Sequence, residues 1–370
     1  MKAVTWHGVD DIRYGDVPDP RIEEPTDAVV RVTTSAICGT DLHFVRGTMP
    51  GLEPGVVLGH EAVGEVVEVG RGVRNFAPGD RVVIASTVAC GYCSYCRAGY
   101  FAQCDNANPN GKRAGTAFFG GPKDAGGFNG MQAEYARVPY ANVGLVGLPP
   151  DVTDEQAITL SDIWPTGWFG ARLAEVGSGD TVAVFGCGPV GQFAILSAYL
   201  QGAGRVIAVD GVADRLELAR GQHAEVVDFD AEDPVQAILD LTGGVGVDRV
   251  VDAVGVDAQP PGGDPGDAPT QAARWAVEAV AKAGTIGVIG VYPPTVESFP
   301  FGQAMNKNLT VKAGNCNHRR YIPDLLALVT NGTVDPAKLV SREEPLTDVL
   351  AAYREFGARR PGWLKVALGV

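Results

Sequence analysis

The stretch Thr181–Phe185 (TVAVF) is apolar after its first residue and runs straight into Gly186-Cys187-Gly188-Pro189-Val190-Gly191, where a helix is expected over Pro189–Leu200. Nothing else in the chain restricts its fold so tightly. A strand without polar alternation is covered on both faces, and a glycine turn from it into a helix begins a parallel βαβ layer. More strands of this kind follow at Arg205–Asp210 (RVIAVD), 247–254 and 285–291, with helical sequence between them, as at 215–220. The expected class is α/β, with a Rossmann doubly wound parallel sheet over 151–302.

Each glycine of the loop has its own task. Gly186 permits the tight turn, Gly188 lets the backbone approach a pyrophosphate, and Gly191 lets the helix pack on the strand. Pro189 and Val190 open that helix, whose free amides face the phosphate charge. Asp210 closes the next strand, 19 residues past Gly191. A carboxylate there hydrogen-bonds a ribose 2′-hydroxyl and repels a 2′-phosphate, which predicts NAD over NADP. Arg215 weakens the preference, since a nearby arginine could bind a phosphate, and Asp210 could instead cap the next helix. Cys187 has no adjacent base in sequence and reads as a packing residue.

The first 150 residues have another rhythm. Val-rich runs at 28–33, 62–69 and 81–84 are separated by Gly and Pro, as in a β-rich domain with tight turns. Leu148-Pro149-Pro150-Asp151 is a hinge candidate, and a helix is expected over 154–160 behind Thr153 as N-cap. The segment VDAQPPGGDPGDAP at 256–269 reads as an exposed loop insert without fixed secondary structure. Beyond about residue 308 the βα rhythm is lost, and the last strand candidate is 363–368.

A net charge of -14 argues against nucleic acid as a partner, because a phosphate backbone needs a basic surface. No apolar run approaches the roughly 20 residues of a membrane span. The start, Met1 to His7, enters strand-like sequence with no signal-peptide core, so a cytoplasmic location is expected.

Seven cysteines, an odd number, disfavour a disulfide framework. Four stand as Cys90-x2-Cys93-x2-Cys96-x7-Cys104. Thiolates this close can fill a tetrahedral shell around Zn²⁺ with no open position, a site that folds a lobe (88–106) and catalyses nothing. An iron–sulfur cluster is the alternative, but its usual C-x2-C-x2-C-x3-C run is absent. A second constellation is less compact. Cys38-Gly39-Thr40-Asp41-Leu42-His43 holds a thiol, a hydroxyl, a carboxylate and an imidazole, and Gly59-His60-Glu61 adds an imidazole and a carboxylate. On spacing alone, Asp41 could be a helix cap and His60 a satisfied core residue.

Together these motifs resemble the medium-chain, zinc-dependent alcohol dehydrogenase family, in the family's order and over nearly the whole chain. Leu160-Ser161-Asp162-Ile163-x-Pro165-Thr166-Gly167 and the stretch 126–140 are most similar to its glutathione-independent formaldehyde dehydrogenase branch. The resemblance implies a β-rich GroES-like catalytic domain over 1–150 and 303–370, and two zinc ions per chain. The catalytic zinc ligands would be Cys38, His60 and Asp162, with water or substrate oxygen as the fourth. Asp162 replaces the cysteine of many relatives and is a harder ligand. Glu61 would stand behind the metal or join it when water leaves, and Asp41 would orient His60 through its far ring nitrogen.

The open zinc position implied is a Lewis acid that lowers the pKa of an alcohol, toward about 7 as it does for water. Hydride then passes to NAD, and the proton leaves through Thr40, the ribose and His43. Thr166 and Val190 would contact the nicotinamide, Gly290 and Val291 the cofactor's other flank, and Lys365 the pyrophosphate. Gly39 is counted with the cofactor positions but stands where some relatives carry a phosphate-binding arginine, so its side chain adds nothing. The implied substrate is a small alcohol or aldehyde, and the implied assembly a homodimer or homotetramer.

Three other readings use parts of this set. One is an aldehyde dismutase that keeps NAD bound, with the 256–269 loop helping to trap it. Another is a zinc-free quinone or enone reductase of the same superfamily, which needs neither Cys38 nor His60. The third is a binding module with a zinc ribbon, against which the acidic charge and the complete cofactor motif count.

Overall fold

Thr181–Phe185 is the first strand of a six-stranded sheet, paired with Arg205–Asp210 on one side and Val247–Asp252 on the other. Glu225–Asp228 lies beyond the former, and Val280–Val288 and then Thr310–Ala313 beyond the latter. All pairings are parallel, and the order has the reversal of a Rossmann sheet. Val182 and Val184 pack in one apolar cluster with Ile195 and Leu216, whereas Ala183 and Phe185 pack in another with Ile238 and Trp275. Burial on both faces is why this strand shows no polar alternation.

The computed structural model describes residues 1–370 as two compact units, Thr166–Asn315 and Met1–Pro165 with Cys316–Val370. These bounds differ from the 150/151 and 302/303 expected from sequence. The first boundary falls inside the helix Ile163–Leu173, where no turn marks it. The second moves because Thr310–Ala313 is an edge strand with mostly exposed residues, so no apolar run announces it. No helix is long and apolar enough to cross a membrane.

In the other unit, Ala28–Ile37 is the central strand. It pairs antiparallel with Ala62–Val69, with Tyr135–Val138 and with the C-terminal Val366–Gly369. The last begins three residues later than the strand expected from 363, which leaves Lys365 just before it. The helix Asp154–Ser161 has Thr153 as its N-cap, as expected. Its far end is pinned by Ser161, whose hydroxyl donates to Ile84 O (2.5 Å) and accepts from Ala62 N–H (3.1 Å). That clamp places Asp162 beside Glu61 and His60.

The 256–269 loop is less free than its composition suggests. Val256 and Ala258 are buried, Gly266 and Ala268 both donate to Ala258 O, and Gly262 N–H donates to Asp230 Oδ1 (2.7 Å).

Candidate active site

Cys38 precedes the helix Gly39–Val45, and Asp41 turns back so that Cys38 N–H donates to its Oδ2 at 2.9 Å. The other oxygen, Oδ1, lies 3.3 Å from His60 Nδ1. The helix cap that spacing allowed and the orienting partner that the resemblance implied are the two ends of one carboxylate. His60 Nε2 stands 3.3 Å from Asp162 Oδ2, and Cys38 Sγ 3.6 Å from the same oxygen. Bonds of about 2.0–2.3 Å to a tetrahedral zinc separate its ligands by roughly 3.3–3.8 Å, so these donors stand at the spacing the ion needs. One ligand atom from each of Cys38, His60, Glu61 and Asp162 lies within 4.8 Å of the others, and all four residues are buried.

Glu61 supports the same fit. Its Oε2 is paired with Lys365 Nζ, while its buried Oε1 has no hydrogen-bond partner. A buried carboxylate oxygen without a donor is costly, and a cation among the neighbouring donors would satisfy it. Lys365, expected at a pyrophosphate, is fully buried, and its ammonium donates to Glu61 and to Ile37 O (3.1 Å). It would have to leave both to meet a phosphate.

Burial and neighbours shift these groups in opposite senses. Burial disfavours charged His60, but Asp41, Cys38 and Asp162 hold its pKa well above the usual imidazole value. Burial works upward on Asp162, yet hydrogen bonds to His318 and His60 keep it well below the carboxylate range. Burial raises Cys38, and it raises Glu61 against the opposing charge of Lys365. A thiol, an imidazole and two carboxyls so coupled form a donor set suited to a divalent cation.

Thr40 is half-buried, with Oγ1 4.0 Å from Cys38 Sγ. His43 is buried three residues further along the same helix. Gly39 has open space where a side chain would begin. Phe118 meets the His60 ring edge-on, with centroids 6.4 Å apart.

Four residues here were not foreseen. His318 Nε2 lies 2.6 Å from Asp162 Oδ1, and its Nδ1 lies 3.2 Å from Thr87 Oγ1. Gln132 Nε2 donates to Asp41 Oδ2 (3.2 Å) and accepts at Oε1 from the Tyr353 hydroxyl (2.9 Å). Long separations hide all of them. The only hint at His318 was rarity, as one of five histidines.

The four clustered cysteines form a separate site, with ligand atoms within 4.8 Å of one another. Backbone N–H groups point at the sulfurs: Tyr92 and Cys93 to Cys90 Sγ, Cys96 to Cys93 Sγ, and Cys90 to Cys104 Sγ. Such donors favour thiolates. At Cys93 burial opposes the charge, but the N–H groups prevail and its pKa falls to about 7, whereas at Cys96 and Cys104 burial prevails and raises the thiol pKa. Four sulfurs complete a tetrahedral shell and leave no open position.

In the other unit, two loop glycines answer the chain's own packing. Gly186 has φ +85°, and a Cβ there would strike Val254; a Cβ on Gly191 would overlap Gly186 O. Gly188 is different, because a Cβ there would meet nothing nearer than the Arg215 guanidinium at 3.8 Å. The space beside it is a cradle that a side chain would fill, as a bound phosphate requires. Asp210 accepts from Cys187 N–H (2.7 Å) and Val212 N–H (2.9 Å). The helix Ala213–Gly221 begins behind Val212, and Asp210 holds the N–H of that N-cap residue. Arg215 Nη1 is 3.8 Å from Asp210 Oδ2. Thr166, Pro189, Val190 and Val291 are half-buried, and Gly290 is accounted for by packing, since a Cβ would overlap Gly255.

The alcohol dehydrogenase GroES-like domain family matches residues 24–150, and the zinc-binding dehydrogenase family residues 189–261. An uncharacterised zinc-type alcohol dehydrogenase-like protein, AdhB of Bacillus subtilis, is 40% identical over all of both chains. The glutathione-independent formaldehyde dehydrogenase of Pseudomonas aeruginosa is 36% identical over 97% of this chain and 96% of its own. Among solved structures, alcohol dehydrogenase TADH from Thermus sp. ATN1 is 36% identical, with a TM-score of 0.87 over the whole of both chains. The chain belongs to the medium-chain, zinc-dependent alcohol dehydrogenase family, and is an oxidoreductase of that kind.

Proposed function

We propose that the chain passes a hydride between a small alcohol or hydrated aldehyde and NAD, with one zinc held by Cys38, His60 and Asp162 and a second by Cys90, Cys93, Cys96 and Cys104. The observation that carries this is the convergence of Cys38 Sγ and His60 Nε2 on Asp162 Oδ2, at 3.6 and 3.3 Å. When bound, zinc supplies a Lewis acid that lowers a hydroxyl pKa toward about 7, and NAD supplies the hydride acceptor.

The chain's own residues do the rest. Asp41 holds His60 Nδ1 and so keeps Nε2 toward the metal. Thr40 Oγ1, next to Cys38, takes up the substrate proton and passes it toward His43, which shares its helix face. Glu61 keeps its unpartnered oxygen for the cation, and Lys365 balances its charge from behind. Gly188 and the helix opening at Pro189 receive the pyrophosphate, and Asp210 takes the ribose hydroxyl and selects NAD.

Self-association into a dimer or tetramer is supported by exposed Phe301 and Met305, just before the edge strand Thr310–Ala313. A zinc-bearing thiolate lobe suits a reducing compartment such as the cytoplasm. The test is zinc content together with NAD-linked turnover of aldehydes, primary and secondary alcohols and polyols. Zinc with alcohol or aldehyde turnover supports the reading. Metal-free protein that reduces quinones or enones overturns it.

A further inference from the structure

His318 opens the helix His318–Thr330 and is buried, as is Thr87. Its ring bridges the two: Nε2 lies 2.6 Å from Asp162 Oδ1, and Nδ1 lies 3.2 Å from Thr87 Oγ1. A carboxylate oxygen only accepts, so Nε2 carries the hydrogen, and in the neutral ring Nδ1 then accepts from the Thr87 hydroxyl. The ring is thereby fixed in tautomer and rotation. The two oxygens of Asp162 face different tasks, for Oδ2 is the one turned to His60 Nε2 and Cys38 Sγ.

A cysteine ligand offers a metal one sulfur. An aspartate in its place brings a second oxygen, which can swing onto the ion and fill the position that substrate needs. We propose that His318, fixed by Thr87, is the positioning residue that restrains Asp162 Oδ1, so that Asp162 binds zinc through Oδ2 alone and the fourth position stays open. This rests on the reading that Cys38, His60 and Asp162 hold the zinc. To chelate through both oxygens, Asp162 would have to surrender its short bond to His318, inside a buried network.

The experiment compares wild type, H318A, H318Q and T87V for zinc affinity by chelator competition and for Co²⁺ absorption after metal exchange. C38S serves to subtract the signal of the cysteine lobe. H318A should weaken zinc binding at this site by about 10–100-fold and move the Co²⁺ bands from the intense four-coordinate to the weaker five-coordinate form. H318Q, whose side-chain amide can donate to Oδ1, should recover the four-coordinate spectrum and most of the affinity. T87V should shift both readouts the same way by less, and it supplies the comparison if H318A does not fold. Metal in the cysteine lobe and NADH binding should be unchanged. Wild-type affinity and spectrum in H318A and T87V, or an H318Q as impaired as H318A, would overturn the proposal. Identical Co²⁺ spectra for wild type and C38S would overturn the zinc reading itself, and this proposal with it.

Discussion

Lys365 and Glu61 form an ion pair that solvent does not touch, with side-chain exposures of 1% and 0%. The ammonium is also bound by Ile37 O at 3.1 Å, in the strand that leads to Cys38. Removing one member of such a pair leaves a buried charge without compensation. K365M should therefore lose about 3–5 kcal/mol in urea unfolding, and the E61Q/K365M double variant should regain much of it. A K365M protein as stable as wild type would contradict this account of the pair.

The cysteine lobe should respond to loss of one ligand by itself. C104S should lose one zinc per chain and expose 88–106 to proteolysis, because metal-ligand bonds supply the folding energy of so small a lobe. NADH binding should persist, since the Gly186–Gly191 loop belongs to the other unit. Undiminished zinc in C104S would remove the lobe's assignment.

Cofactor choice should turn on Asp210. Replacing it by serine removes the charge that repels a 2′-phosphate while leaving Arg215 beside Gly188. D210S should raise the kcat/KM ratio for NADP over NAD by about tenfold or more, equivalent to ~1.4 kcal/mol. Equal use of both cofactors by the wild type would contradict the role given to Asp210.

A buried acid outside the metal site makes a test by pH. Asp252 accepts from Val254 N–H (2.9 Å), Gly255 N–H (3.2 Å) and the Tyr292 hydroxyl (2.7 Å), yet burial prevails and raises its pKa. The native state then binds more protons than the unfolded chain, where an aspartate titrates near about 3.9. Stability from this group is present below that unfolded value and falls as pH rises through the native pKa. D252N keeps the Oδ1 acceptor and cannot ionise, so the wild type should lose stability relative to D252N as pH rises across this window. A constant difference between the two in urea unfolding would contradict the shift.

Contiguity decided how much was legible in the sequence. The cysteine run and the glycine loop lie within short stretches and could be read from spacing and context, as could the inner strands of the Rossmann sheet. The edge strand Thr310–Ala313 could not, because exposure removes the apolar signal. Asp41 showed two meanings, and only the fold revealed that one carboxylate serves both. His318 stands 156 residues from Asp162 and carries no local motif, so its contact exists only in the folded chain. Lys365 was expected at the pyrophosphate by resemblance alone, whereas the direction of its ammonium depends on packing around Glu61.

The central claim is that a zinc at Cys38, His60 and Asp162 carries the chemistry, and D162A tests it most directly. Zinc should fall from two per chain in the wild type to one in D162A, and NAD-linked alcohol oxidation should be lost while NADH still binds. A D162A protein that retains both its second zinc and its turnover would contradict the account.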